Sequence, residues 1–187
     1  MKEIILASQS PRRSQLLAQA EIPFTVMVQP VQEHWPEDMP PEQAPEYIAR
    51  NKALAVLNNL SENHPPVVAA DTVVLLNGEI IGKPESREAA IATLLKLSGQ
   101  THRVITGVVI VYQGREISFR ETTEVSFYEL SEADAAFYTD KYQPYDKAGA
   151  YAIQEWIGVT CIRSINGDFY NVMGLPVSRL YRELSRL

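Results

Sequence analysis

Residues 5–17 read ILASQSPRRSQLL and change character once. After Glu3 and Ile4, the run Ile5-Leu6-Ala7 is too short for a helix and suits a buried strand. Ser10 followed by Pro11 is a helix start, with serine as N-cap and proline as the first helical residue. A strand passing directly into a helix points to an α/β fold. The helix opens on Arg12 and Arg13, the wrong sign for the positive end of its dipole, at a cost of roughly 0.3–1 kcal/mol for each exposed cation. An anion held by the two guanidiniums, the free N–H groups of the first turn and the Ser8 and Ser10 hydroxyls removes that conflict, so this segment is expected to cradle phosphate. On this reading both arginines meet substrate and, as unpaired surface charges, add little to stability.

Outward from that stretch, IPFTVMV at 22–28 alternates as a second strand, and PVQEHWPEDMPPEQAP at 30–45 is an acidic, proline-rich loop carrying Glu33. A helical pattern from Pro45 to about Leu60 places Ala49, Ala53, Val56 and Leu60 on one stripe, and Lys52 falls on the same stripe. VVAADTVVLLNGEIIGKP at 67–84 is a hairpin about Asn77-Gly78. Its register pairs Leu76 with Glu79 and, counted outward, Thr72 with Lys83, bringing Asp71 near Lys83. Ser86 caps a helix that runs to Leu97 and stops at Gly99; long strands then turn at Gln113-Gly114, and Ser131 starts a helix ending near Tyr142. DKAGAYAIQ at 146–154 reads as loop into strand, the segment from Trp156 to Gly174 as a hairpin about Asn166-Gly167, and Pro176 opens a C-terminal helix. The pattern predicts a mixed α/β fold, a twisted sheet with flanking helices.

The 187 residues, 45% of them apolar, suffice for one substantial core, and the whole chain, 1–187, is expected to act as one domain. A net charge of -6 argues against a nucleic-acid polymer as partner, and neither phosphate-loop nor dinucleotide-binding glycine motifs occur. Cys161 is the only cysteine, so no internal disulfide and no cysteine zinc cage form; it reads as core filler in a reducing compartment. The first apolar run is far too short for a signal segment or a membrane span, so no membrane is expected and the cytoplasm is. His34, His64 and His102 have no metal-ligand spacing and read as structural or solvent-facing.

Asp71 follows the apolar run Val67–Ala70, where a carboxylate needs a cation or metal beside it. Together with Arg12, Arg13, Lys52 and Lys83 it outlines a site for a polyphosphate and a divalent ion, since magnesium needs only one or two carboxylates when substrate phosphates supply further oxygens.

The segments LASQSPRRSQLL, NKALAV, AADTVVLLNGEIIGKP, LSGQTHRVITGV, DKAGAYAIQ and INGDFYNVMGLP, in that order, resemble the Maf family of nucleoside triphosphate pyrophosphatases along almost the whole chain. The resemblance implies two lobes around a deep cleft, a fold related to inosine triphosphate pyrophosphatases, a homodimer, and a divalent metal, magnesium or manganese. It implies cleavage of a nucleoside triphosphate between the α and β phosphates, with Asp71 as proton acceptor and metal ligand and Glu33 assisting with metal. Ser8, Arg12, Arg13, Lys52 and Lys83 would line the phosphates. Arg12, Thr72 and Gln154 match the positions that set specificity and are similar to the branch acting on dTTP and UTP; the branch acting on 7-methyl-GTP carries Trp, Gln and Glu there. A glutamine amide both donates and accepts, as the edge of uracil or thymine requires. This chain departs from the family pattern at Ala70, where Gly is usual, and at Glu155-Trp156, which replace a Gly-rich continuation. An association of the family name with septum formation implies the competing reading, a nucleotide-binding regulator of cell division.

Overall fold

The computed structural model describes residues 2–187. Seven strands pair in the order β2 (Phe24–Val26), β1 (Ile4–Leu6), β3 (Val67–Leu76), β5 (Thr101–Tyr112), β6 (Arg115–Phe127) and β7 (Ile162–Asn166), with β4 (Glu79–Ile81) on β3. The β1 strand runs parallel to both β2 and β3, whereas β4 and β7 are antiparallel to their partners, so the sheet is mixed. The helices are α1 (Pro11–Gln19), α2 (Ala44–Leu57), α3 (Arg87–Leu97), α4 (Glu132–Tyr142), α5 (Trp156–Cys161), α6 (Phe169–Val172) and α7 (Val177–Leu184). The chain divides into two compact units: the first runs to Thr72 and adds Thr106–Glu121 and Gly174–Leu187, and the second comprises Val73–Ile105 and Thr122–Met173.

In the first unit β1 enters the sheet with every side chain buried, and Ile5 and Ala7 pack with Val67, Ala69 and Val109 against Ala49, Ala53 and Val56 of α2. That is the apolar stripe read from the sequence. Helix and strand approach so closely that a Cβ on Gly107 of β5 would lie 2.2 Å from the Glu46 nitrogen, which is why a residue without a side chain stands there. Helix α1 begins at Pro11 as expected, but the Ser10 side chain makes no capping bond. Instead the Ser10 N–H donates to Ser8 Oγ at 3.3 Å.

In the second unit the Asn77-Gly78 turn has both residues at positive φ, and the observed pairs Leu76–Glu79, Leu75–Ile80 and Val74–Ile81 are those the two-residue turn dictates. The ladder stops at Ile81 and does not extend to a Thr72–Lys83 pair. Ser86 and Ser131 both cap their helices, Ser131 in a reciprocal box with Asp134.

Two stretches differ from expectation. Residues 146–154 form short 3₁₀ turns and loop rather than a strand. The segment after Trp156 is helix, strand, helix rather than a hairpin: β7 pairs with β6, the Asp168 carboxylate caps α6 by accepting from the Tyr170 N–H at 2.8 Å, and Gly167, at φ 130°, presses against Thr123. Asn166-Gly167 therefore turns a strand into a helix.

His102 is buried in the second unit between Phe127 and Tyr151, with Nε2 2.7 Å from the Tyr151 hydroxyl and no partner for Nδ1 among the described residues. Burial pulls its pKa down to about 4 from an ordinary value of 6.5. Between those pH values the unfolded chain takes up a proton that the folded chain refuses. The stability present above pH 6.5 is therefore lost as the pH falls through this window, by about 3 kcal/mol from this group. Urea unfolding at pH 7 and pH 4.5 is expected to show a smaller acid-induced loss for His102→Gln than for wild type; equal losses would remove His102 as the cause.

Candidate functional site

Strand β1 ends at Leu6, and Ala7 and Ser8 lead on to the start of α1, where Arg12 and Arg13 occupy the first turn. Arg13 is not a surface charge. It is 8% exposed; Nε donates to the Gly174 carbonyl at 2.8 Å, Nη1 to Ser8 Oγ at 2.9 Å and Nη2 to Thr72 Oγ1 at 3.1 Å. The Thr72 hydroxyl also lies 2.9 Å from Thr106 Oγ1. One guanidinium thus ties together the end of β1, α1, β3 and the start of the C-terminal segment. Burial lowers the Arg13 pKa and Arg12 adds to that, while Asp71 and Glu33 oppose it; an arginine so placed stays charged. The expectation that both arginines are unpaired surface cations is therefore corrected: Arg13 is buried and bonded, and Arg12 is not without a partner either. Arg12 is half-buried.

The second focus is Lys52. Its stem lies along the apolar stripe of α2, and its ammonium emerges between two carboxylates, 2.6 Å from Glu33 Oε1 and 2.7 Å from Asp71 Oδ1. The Lys52 and Asp71 side chains are 16% and 13% exposed, whereas Glu33 is 47% exposed. The Lys52–Asp71 pair is accordingly the better shielded from solvent and the stronger of the two. A cavity of about 180 Å³ opens here, lined by Ser8, Gln9, Gln29, Glu33 and Lys52 with Val56 at its apolar side.

Ser8, Arg12, Arg13, Glu33, Lys52, Asp71 and Thr72 all belong to the first unit, and Lys83 and Gln154 to the second. Both of the latter side chains are exposed. Asp71 is bonded to Lys52, which α2 brings to it from the same unit. Thr106 and Gly174 join the Arg13 brace without having been singled out in the sequence. Gly174 carries a signal in retrospect: its φ of 111° favours a residue without a side chain.

The oxygens of Glu33 and Asp71 converge on one cationic position and so fit a hard divalent ion that completes its shell with water and phosphate oxygens. Among the described residues no three His, Cys, Asp or Glu side chains cluster, which is compatible with that mode of binding.

A mixed α/β chain that lines a cavity with Ser8, Glu33 and Lys52, and bonds that lysine in turn to Asp71, has the layout of a phosphate-binding hydrolase. The family model described as Maf-like protein matches residues 3–187, and the chain belongs to the Maf family. It is 46% identical to a dTTP/UTP pyrophosphatase of Bacteroides thetaiotaomicron and 47% identical to one of Phocaeicola vulgatus, in each case over 99% of this chain and 96% of the relative. It is 46% identical to one of Cytophaga hutchinsonii, over 99% of this chain and 84% of the relative. The Staphylococcus aureus Ham1 protein, a solved structure, shares 21% identity at a TM-score of 0.48, over 67% of this chain and 72% of that one.

Truncating Arg13 removes one donor each from the Gly174 carbonyl and the Ser8 and Thr72 hydroxyls. Arg13→Ala is expected to lower folding stability by about 2 kcal/mol, and Arg13→Lys to recover little because an ammonium cannot reproduce the three-way fork. Thermal melting checks this; an unchanged Tm for Arg13→Ala would return the residue to a purely ligand-facing role.

Proposed function

We propose that the protein is a nucleoside triphosphate pyrophosphatase that hydrolyses dTTP and UTP to the monophosphate and pyrophosphate. The observation that carries this reading is the Lys52 ammonium held between Glu33 and Asp71 at the mouth of a cavity bordered by Ser8. The names of relatives at about 46% identity over nearly the full chain support the substrates.

Asp71 is the residue to accept the proton of the attacking water. Lys52 fixes one of its oxygens, leaving the other for that water. Glu33 and Asp71 would hold a divalent cation, magnesium or manganese, which when bound offsets charge on the phosphate oxygens. Ser8, Arg12, the N–H groups opening α1 and Lys83 are assigned to the phosphates. Arg13 contributes its charge to the same region while its fork holds Ser8 and Thr72 in place. By the family resemblance Arg12, Thr72 and Gln154 select the base, with the Gln154 amide on the donor and acceptor edge of uracil or thymine. Because the Thr72 hydroxyl is engaged by Arg13 and lies against Thr106, its part is to shape the site rather than to probe the base freely.

We further infer that residues 1–187 work as one Maf-type domain, in the cytoplasm and as a homodimer, without a nucleic-acid polymer as partner. No helix among the described residues is long and apolar enough to cross a membrane.

Asp71→Asn keeps the side-chain shape and removes the proton acceptor. Pyrophosphate release from UTP and dTTP with magnesium is expected to fall by two to four orders of magnitude, roughly the worth of a general base, in a variant that still folds. A folded variant that turns over UTP at near wild-type rate would take Asp71 out of the mechanism. Saturable binding without turnover by the wild type would favour a nucleotide-binding regulator.

A further inference from the structure

Gln154 does not stand on a regular element, yet its main chain is tightly held. The Glu155 N–H donates to the Ala152 carbonyl at 3.1 Å, closing a four-residue turn, Ala152-Ile153-Gln154-Glu155, with Gln154 at its third position. Ala152 and Ile153 are 5% and 3% exposed, so the turn is rooted in the core and directs Gln154 outward. A Cβ on Gly158 of α5 would lie 1.7 Å from the Ile153 carbonyl oxygen, so the following helix packs directly against the turn.

Both ends of this turn converge on one hydroxyl, that of Tyr138 on α4. It accepts from the Ala152 N–H at 3.0 Å and donates to the Glu155 carboxylate. The Tyr138 ring is fully buried and stacks on Tyr142, with centroids 5.0 Å apart, so the hydroxyl is carried on a rigid support. The other Glu155 oxygen faces the buried Lys147 ammonium at 3.8 Å, and Lys147 is itself bonded to Asp146 at 2.8 Å. The acid that departs from the family's Gly-rich continuation thus serves as the outer anchor of the turn. All of these residues lie within the second unit.

We propose that Tyr138 is a positioning residue for base selection: its hydroxyl clamps both ends of the 152–155 turn and thereby fixes the main chain from which the Gln154 amide reads the pyrimidine edge. This rests on the reading of Gln154 given above. A glutamine on a loose turn must be ordered anew by each substrate, whereas a clamped turn holds it ready. The clamp acts through Gln154, so its loss weakens pyrimidine triphosphates selectively.

The test compares kcat and KM for UTP, dTTP and GTP in wild type, Tyr138→Phe, Glu155→Gln, Glu155→Ala and Gln154→Ala, with a thermal melt of each. Tyr138→Phe, which keeps the ring and its stack, is expected to reduce the UTP-to-GTP ratio of kcat/KM by about tenfold, carried mainly by KM. Glu155→Gln retains an acceptor for the hydroxyl and is expected to preserve most of the ratio, and Glu155→Ala to lose it. Should Tyr138→Phe not yield folded protein, the contrast between the two Glu155 variants decides.

The clamp is overturned if Gln154→Ala shifts the ratio while Tyr138→Phe leaves it at the wild-type value. It is equally overturned if Tyr138→Phe lowers all three triphosphates by the same factor alongside its Tm, as a merely structural residue would. A ratio unmoved by Gln154→Ala would reject the base-reading role of Gln154 itself, and the clamp would fall with it.

Discussion

The Arg13 guanidinium is the constraint on which the first unit depends. A cation at 8% exposure is costly unless its donors are matched, and here three of its N–H groups meet a carbonyl and two hydroxyls from residues as distant in sequence as Ser8, Thr72 and Gly174. Its partners are fixed in turn: Ser8 also takes the Ser10 N–H, and Thr72 lies against Thr106 on β5. The residue before Thr72 is Asp71, so the brace also fixes the strand position from which the proposed base projects.

Lys52 completes the arrangement from the other side. Strand β3 carries Asp71, α2 carries Lys52, and the proline-rich loop carries Glu33; the ammonium joins all three. Helix α2 can bring a lysine there because its stripe of Ala49, Ala53 and Val56 is small enough to bring it down onto the sheet, and Gly107 leaves no side chain in the way. Core packing and site geometry are in this respect the same feature. A substitution that lifted α2 would disturb the carboxylates before it exposed much apolar surface.

Local rules served where the partner of a residue is near in sequence. The Asn77-Gly78 register followed from a two-residue turn, and the caps at Ser86 and Ser131 from helix-start chemistry. The same Asn-Gly dipeptide at 166–167 misled, because β7 takes its partner from β6, some forty residues earlier, and the glycine is used to press against Thr123. The burial of Arg13 was illegible for the same reason: its Nε partner lies 161 residues away. The Lys52 stripe position was readable, but not that its tip meets Asp71 and Glu33, which depends on how α2 lies on the sheet. Nor does any periodicity announce the Tyr138 hydroxyl, whose two partners sit in a segment that had the look of a strand.

The most direct measurement is the identity of the products. Wild-type protein incubated with UTP and magnesium and followed by phosphorus NMR is expected to give UMP and pyrophosphate in equal amounts, with no UDP and no orthophosphate. UDP and orthophosphate, or UTP that is bound but unchanged, would contradict a pyrophosphatase built around Lys52 and Asp71.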